Sequence, residues 1–238
     1  MKIANRLAAE GLGSLLLAAT VVGSGIMAER LAAGNSAVAL LANTSATVAV
    51  LAALIGLFAR VSGAHFNPAV SIIQALRGHL HWHDAGLYIM VQVAGCCVGA
   101  FLAHAMFGLP LVQASLHART GFPQWLAEGV ATFGLLLIVL GHRRSQDAPW
   151  MVACWIGAAY WFTASTSFAN PAITIARSLT DTFSGIRPID IPGFIAAQFV
   201  GALIALPVAK LVFAIERNDR PAEAGHSLPA VSHLEGNS

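Results

Sequence analysis

The tripeptide Asn-Pro-Ala occurs twice in the chain, at Asn67 to Ala69 and at Asn170 to Ala172. Its chemistry is that of a helix start. An Asn side chain caps the first turn, and Pro at the first helical position gives up only an N–H that has no partner there. Two carboxylates, Glu10 and Glu128, lie inside apolar runs, where an ionisable side chain is costly and reads as functional. Other groups with chemical potential are His79, His81 and His83 beside Asp84, and the adjacent Cys96 and Cys97. Alternate spacing aligns side chains in a strand, not in a helix or loop, and zinc needs three or four converging ligands. Adjacent helical residues point about 100° apart, so the two cysteines do not share a face. With Cys154 they read as small residues packed in helices. No Ser/His/Asp or Cys/His arrangement stands out. The chain reads as a protein that is not an enzyme, with no cofactor and no metal.

The elements that position these residues are membrane spans. The 238-residue chain is 57% hydrophobic and only 10% charged, against about 25% charged in soluble domains. Its net charge of +2 is too small to suggest a nucleic-acid partner. A span takes about 20 apolar residues. Stretches of that kind run from Leu7 to Met27, Ala37 to Ala59, Ala85 to Phe107, Trp125 to Gly141, Ala148 to Ser165 and Ile191 to Ile215. With these spans both termini share one side. That side holds Lys2, Arg6, Arg60, Arg77, Arg143, Arg144, Lys210, Arg217 and Arg220, against Arg30, Arg119, Arg177 and Arg187 on the other. The excess places both termini in the cytoplasm. The polar segment 216–238 reads as a disordered cytoplasmic tail.

The two Asn-Pro-Ala segments, Ala64 to Ala75 and Ala169 to Leu179, are apolar but about half a span long. Short apolar segments interrupted by Pro, at matching places in two halves, indicate re-entrant half-helices. The halves match elsewhere too. Ala-Glu-Gly opens a span at Ala9 and again at Ala127, and Gln-x-x-Gly recurs at Gln92 and Gln198. Three spans per half is an odd number, so the second half must be inverted. Two helix N-termini, each carrying about half a positive charge, then meet near the midplane. The expected architecture is an all-α membrane protein with six transmembrane helices, two half-helices and an inverted three-plus-three repeat. The channel domain spans 1–215, with repeats at about 5–110 and 123–215.

Two Asn-Pro-Ala motifs in such a repeat, with "SGAHFNPAV" at Ser62 to Val70, resemble the aquaporin and glycerol-facilitator family. The resemblance implies a right-handed bundle, a homotetramer with one pore per subunit, and passive permeation of uncharged solutes through the plasma membrane. It places Asn67 and Asn170 at the pore midplane and makes Glu10 and Glu128 acceptors that hold the re-entrant loops. Gly95 and Gly201, with small neighbours, are expected to allow close helix contacts. His65 is either a residue of the cytoplasmic vestibule or a capping and packing histidine.

Most family members carry an arginine directly after the second motif, and here that position is Ile173. Counting back from the two Asn residues puts the rest of the filter at Thr47, Ala158 and Ser167. Thr, Ala, Ser and Ile imply a wide, uncharged and mildly polar constriction. Arg177 lies one helical turn beyond Ile173, either reaching the outer mouth or pairing with Asp181. The run "ANPAITIARSLTDTFSGIRP" from Ala169 to Pro188 resembles aquaporins associated with bacterial arsenic resistance. That likeness implies neutral arsenite or methylated arsenicals as solutes, with general water and glycerol conduction as the alternative. A structural junction protein with a closed pore is the remaining reading, and small filter residues argue against it.

Overall fold

The computed structural model describes residues 1–142 and 147–213. The expected polar tail lies outside these residues, as does the end of the last span. The described residues form α1 (Ile3–Leu31), α2 (Ser36–Ser62), α3 (Pro68–Leu76), α4 (Trp82–Met106), α5 (Phe122–Gly141), α6 (Ala148–Phe162), α7 (Pro171–Arg177) and α8 (Ile191–Phe213), with a short 3-10 turn at Pro188–Asp190.

Local chemistry sets several of the ends. Asn35 caps α2 through bonds from the N–H groups of Ala37 and Val38. Gly63, at φ 91°, closes the same helix and returns its N–H to Ala59. That left-handed turn, which glycine adopts without penalty, sends the chain into the first re-entrant segment. Asn67 and Asn170 cap α3 and α7, each followed by proline in the first turn.

Helices α1, α2, α4 and α5, and α8 with the turn before it, are long and apolar enough to cross a bilayer. Helix α6 is shorter than the sequence indicates. It stops at Phe162 rather than Ser165, because Thr163 turns to an extended conformation. Its 15 residues extend about 22 Å, against a hydrocarbon core of about 30 Å. The half-helices are also shorter than their apolar segments. The residues before each Asn form the irregular approach to its cap.

The packing follows the repeat. Helix α1 lies against α4, and α5 against α8. Helices α2 and α6 meet across the repeat boundary. Each half-helix contacts the last long helix of its own half and that of the other, so α3 and α7 both touch α4 and α8. The closest approaches are made by glycine. A Cβ on Gly95 would strike the backbone of Gly11, and one on Gly201 would strike the backbone of Gly129. These are matching contacts in the two halves, the small-residue packing that membrane helices use in place of a hydrophobic drive. Leu41, Leu57, Val130, Val200 and Leu211 point outward.

Candidate functional site

The two half-helix starts are tied to each other. Asn67 Oδ1 accepts from Ala69 N at 2.9 Å, while its Nδ2 donates to Ala169 O at 2.8 Å. Asn170 Oδ1 accepts from Ala172 N at 3.0 Å, while its Nδ2 donates to Phe66 O at 2.8 Å. Each amide therefore caps its own helix and holds the residue before the opposite cap. Those residues, Phe66 and Ala169, sit at φ 47° and 48°. Ala64 and Ser167, three residues before each Asn, are left-handed as well. Such conformations cost about 1–3 kcal/mol each for non-glycine residues, so the surrounding bonds must hold them.

Two buried carboxylates supply those bonds. Glu10 accepts from Ser62 Oγ at 2.6 Å, His65 N at 2.9 Å, Phe66 N at 2.7 Å and Gln92 Nε2 at 2.8 Å. Glu128 accepts from Phe168 N at 2.8 Å, Ala169 N at 2.9 Å and Gln198 Nε2 at 2.6 Å. Gln92 Nε2 also donates to Ser71 Oγ at 3.0 Å, and Gln198 Nε2 to Thr174 Oγ1 at 2.9 Å. Ser71 and Thr174 each lie four residues after an Asn of the pair. Bonds to an ionised acceptor are roughly twice as strong as neutral ones. The glutamines entered the sequence reading only as markers of the repeat. Their recurrence at matching places was the available signal of a shared task, that of linking carboxylate to half-helix.

A cavity of about 360 Å³ runs past the Asn pair. Its walls are mostly apolar, with Leu17, Val21, Leu51, Ile55, Leu135 and Val139 among them. Asn67, Asn170, His65, Thr47, Ser167, Ile173 and Arg177 all line it. His65 Nδ1 is 3.0 Å from Ser71 Oγ, and its ring meets Tyr88 edge-on at 5.4 Å. This histidine thus both packs and faces the cavity. Thr47 Oγ1 donates to Asn43 O at 2.9 Å and lies 3.4 Å from the Tyr160 hydroxyl.

Ala158 does not belong with these residues. It is exposed on the outer side of α6, whereas Val152, Ile156 and Tyr160 of that helix line the cavity. Those three recur every four residues and share a face. Ala158 stands two residues from Tyr160, about 200° around the axis. Counting back from Asn170 does not fix the rotation of α6 about its axis, which its packing against α2 and α5 sets. The consequence is chemical: an aromatic phenol, not a methyl group, stands beside Thr47.

Beyond Ile173 the cavity meets Arg177. This side chain is buried, its Nε donates to Ser184 O, and its Cζ lies 3.4 Å from the Phe168 ring centroid. Asp181 is engaged elsewhere, accepting from Leu116 N at 2.8 Å, so no Arg177–Asp181 pair forms. Arg119 reaches the same ring from the segment between α4 and α5. Its Cζ is 5.2 Å from the Phe168 centroid, its Nε donates to Gly185 O at 2.8 Å and its Nη1 to Ser165 O at 3.2 Å. Burial lowers the pKa of this guanidinium from its ordinary value. From the chain alone Arg119 counts only as a charge on one side of the membrane. Its reach to Phe168 depends on a loop path that no local pattern encodes.

The histidine loop does not gather. His83 is exposed, with Nδ1 3.4 Å from Asp84 Oδ1. Among the described residues no three His, Cys, Asp or Glu side chains converge as a metal site. Cys96 is buried and donates to Ser14 O at 3.5 Å, and Cys97 is half-buried.

Comparison with known proteins places this geometry. A family model described as "Major intrinsic protein" matches residues 1–163. The chain is 54% identical over 210 residues to aquaglyceroporin AqpS of Rhizobium meliloti, covering 87% of this chain and 90% of the relative. It is 32% identical over 218 residues to aquaporin TIP4-4 of Zea mays, covering 85% and 79%. The fold matches the X-ray structure of the aquaglyceroporin from Plasmodium falciparum with a TM-score of 0.64 at 19% identity, over 88% of this chain and 100% of that one. With its matching halves, paired half-helices and the cavity beside them, the chain is a membrane channel of the major intrinsic protein family, which holds the aquaporins and aquaglyceroporins.

Proposed function

We propose that the protein conducts small neutral polyhydroxylated solutes passively, with undissociated arsenite and methylated arsenicals as candidates beside glycerol and water. One observation carries the reading. The cavity is lined by two Asn side chains and mostly apolar walls, and Ile173, directly after the second Asn-Pro-Ala, lines it as well. An uncharged residue there presents no fixed donor and leaves room for a solute larger than water. The name of the relative AqpS, an aquaglyceroporin, supports permeation of polyols. General water and glycerol conduction is the second reading, favoured by Tyr160, whose bulk narrows the same ring.

In this reading Asn67 and Asn170 orient the solute at the midplane and Glu10 and Glu128 keep the half-helices in place. His65 faces the cytoplasmic vestibule and Arg177 stands at the outer mouth. The channel works as a homotetramer in the plasma membrane, with both termini cytoplasmic. Liposomes carrying the purified protein, tested side by side with water, glycerol and arsenous acid, decide between the two solute classes. The expected result is flux of all three above protein-free vesicles. Passage of water and glycerol without arsenous acid would favour the second reading, and passage of water alone would sink both.

A further inference from the structure

The two halves of the bundle differ on their outer surface. A trench of about 660 Å³ runs along the seam between α5 and α8. Its floor is made of small residues, Gly129, Gly193, Ala197 and Gly201. Its rims are large and exposed, with Phe122, Leu126 and Val200 among them. Counted from Gln92 and Gln198, the first half carries Leu87 and Val91 at the places of Gly193 and Ala197. There Val91 covers its glycine: a Cβ on Gly11 would meet Val91 Cβ at 3.7 Å. A Cβ on Gly129 would meet only Ala197 O, at 3.5 Å. Side chains thus cover the seam of the first half and leave that of the second as a trench.

We propose that the trench seats an acyl chain of a phospholipid from the leaflet at the starts of α5 and α8. Its length fits a single leaflet. It runs from Phe122 to Phe133 on α5 and from Gly193 to Ile204 on α8, about 16 Å along each helix. The hydrocarbon core is about 30 Å thick, so the trench reaches from one face to the midplane. Both helices begin at the same end of it, and Trp125 lies there with its indole against Gly193. Tryptophan at that level marks the boundary between hydrocarbon and headgroups. Arg187 directly precedes the span that starts at Pro188, and its side chain is 37% exposed. Asp190 takes its Nε and Nη2, which leaves Nη1 outside that pair for a headgroup phosphate. A neighbouring protein helix suits the trench less well. A helix with side chains is about 10–12 Å across, so a length of about 16 Å takes more than about 1,200 Å³. It would bridge the rims and forfeit dispersion contacts with the floor, which a single hydrocarbon chain can follow. Gly129 and Ala197 adjoin Glu128 and Gln198, the pair that holds the second re-entrant segment. A seated chain therefore braces the anchor of α7.

The test uses the full chain purified in dodecyl maltoside, with and without added palmitoyl-oleoyl phosphatidylglycerol. Native mass spectrometry reads the phospholipid that stays with each chain. The melting temperature reads its effect, since a ligand that binds only the folded protein raises it. Wild type should retain the phospholipid and melt higher in its presence. Ala197→Leu fills the trench from its floor and should lose both responses. Ala158→Leu, the same exchange on the exposed side of α6, should keep both. Phe122→Ala guards against misfolding of the first variant. It removes a rim side chain that is 71% exposed, and should lower retention while the lipid-free melting temperature stays level. Equal retention by wild type and both trench variants overturns the site, as does wild type that retains none. A change of oligomeric state in Ala197→Leu with retention unaltered also overturns it, and assigns the trench to a second copy of the chain. Solute flux plays no part in these readouts, so the solute reading stands or falls separately.

Discussion

Asn67 and Asn170 each donate, at 2.8 Å, to the carbonyl immediately before the other. The two half-helices are thus not merely apposed by the surrounding bundle. Each cap residue is a part of the other's approach loop, and the left-handed Phe66 and Ala169 present the carbonyls that make this possible.

Removing one cap should therefore damage both half-helices. Asn67→Ala loses the bond from Ala69 N and leaves Ala169 O without its donor. The cap is worth about 1 kcal/mol, and the orphaned carbonyl adds about 1–3 kcal/mol. Thermal denaturation in detergent should show Asn67→Ala and Asn170→Ala each destabilised. The double variant should fall short of the sum, because the first change already loosens the second site. Strict additivity would mean that the cross-links do not couple the halves.

Glu10 accepts four hydrogen bonds and Glu128 three. Replacing either with Gln keeps the shape but turns a donor group toward donors. Bonds to a charged acceptor are worth about 1.5–3 kcal/mol each, so each variant should lose several degrees of thermal stability and much of its folded yield. A Glu10→Gln or Glu128→Gln protein as stable as wild type would contradict the anchoring role.

Gly95→Ala and Gly201→Ala force α4 from α1 and α8 from α5, since the new methyl groups strike the backbones of Gly11 and Gly129. Overpacking of this kind costs about 1–3 kcal/mol. Gly86→Ala, also on α4 with nothing near its Cβ, is the control and should be neutral or slightly stabilising. Equal behaviour of all three variants in a melting series would refute the close-contact argument.

The filter membership of α6 has its own test. Tyr160→Ala should widen the ring and raise the glycerol-to-water flux ratio. Ala158→Leu, on the outer face, should leave the ratio unchanged. A response from Ala158→Leu and none from Tyr160→Ala would restore the ring that simple counting suggests.

Position 173 is the remaining lever. Ile173→Arg adds a longer side chain with five donors and a fixed positive charge, one turn from Arg177. Arsenous acid flux should drop far more than water flux. Thr47→Phe narrows the ring without charge and separates size from electrostatics. If neither variant alters the arsenite-to-water ratio in liposomes, selectivity does not reside in this ring.

Much of the molecule was legible from the chain alone, for a physical reason. Helix caps, apolar run lengths and a buried charge are local properties, so Asn67, Asn170, Glu10 and Glu128 announced themselves by residue type and neighbourhood. The recurrence of the same signals in the same order then required an inverted repeat, because three crossings per half leave no other arrangement. What tertiary structure decided is angular and non-local. Whether Ala158 or Tyr160 faces the cavity depends on how α6 is rotated against α2 and α5, since two residues turn a side chain by about 200°. The tasks of Gln92 and Gln198 exist only once α4 and α8 bring them against Glu10 and Glu128. Arg119 and Arg177 both reach the Phe168 ring because the loop between α4 and α5 brings Arg119 there, and no periodicity records a loop's path. Sequence settled which residues begin helices and which cannot face lipid. Only the packed bundle decided which of them share the cavity.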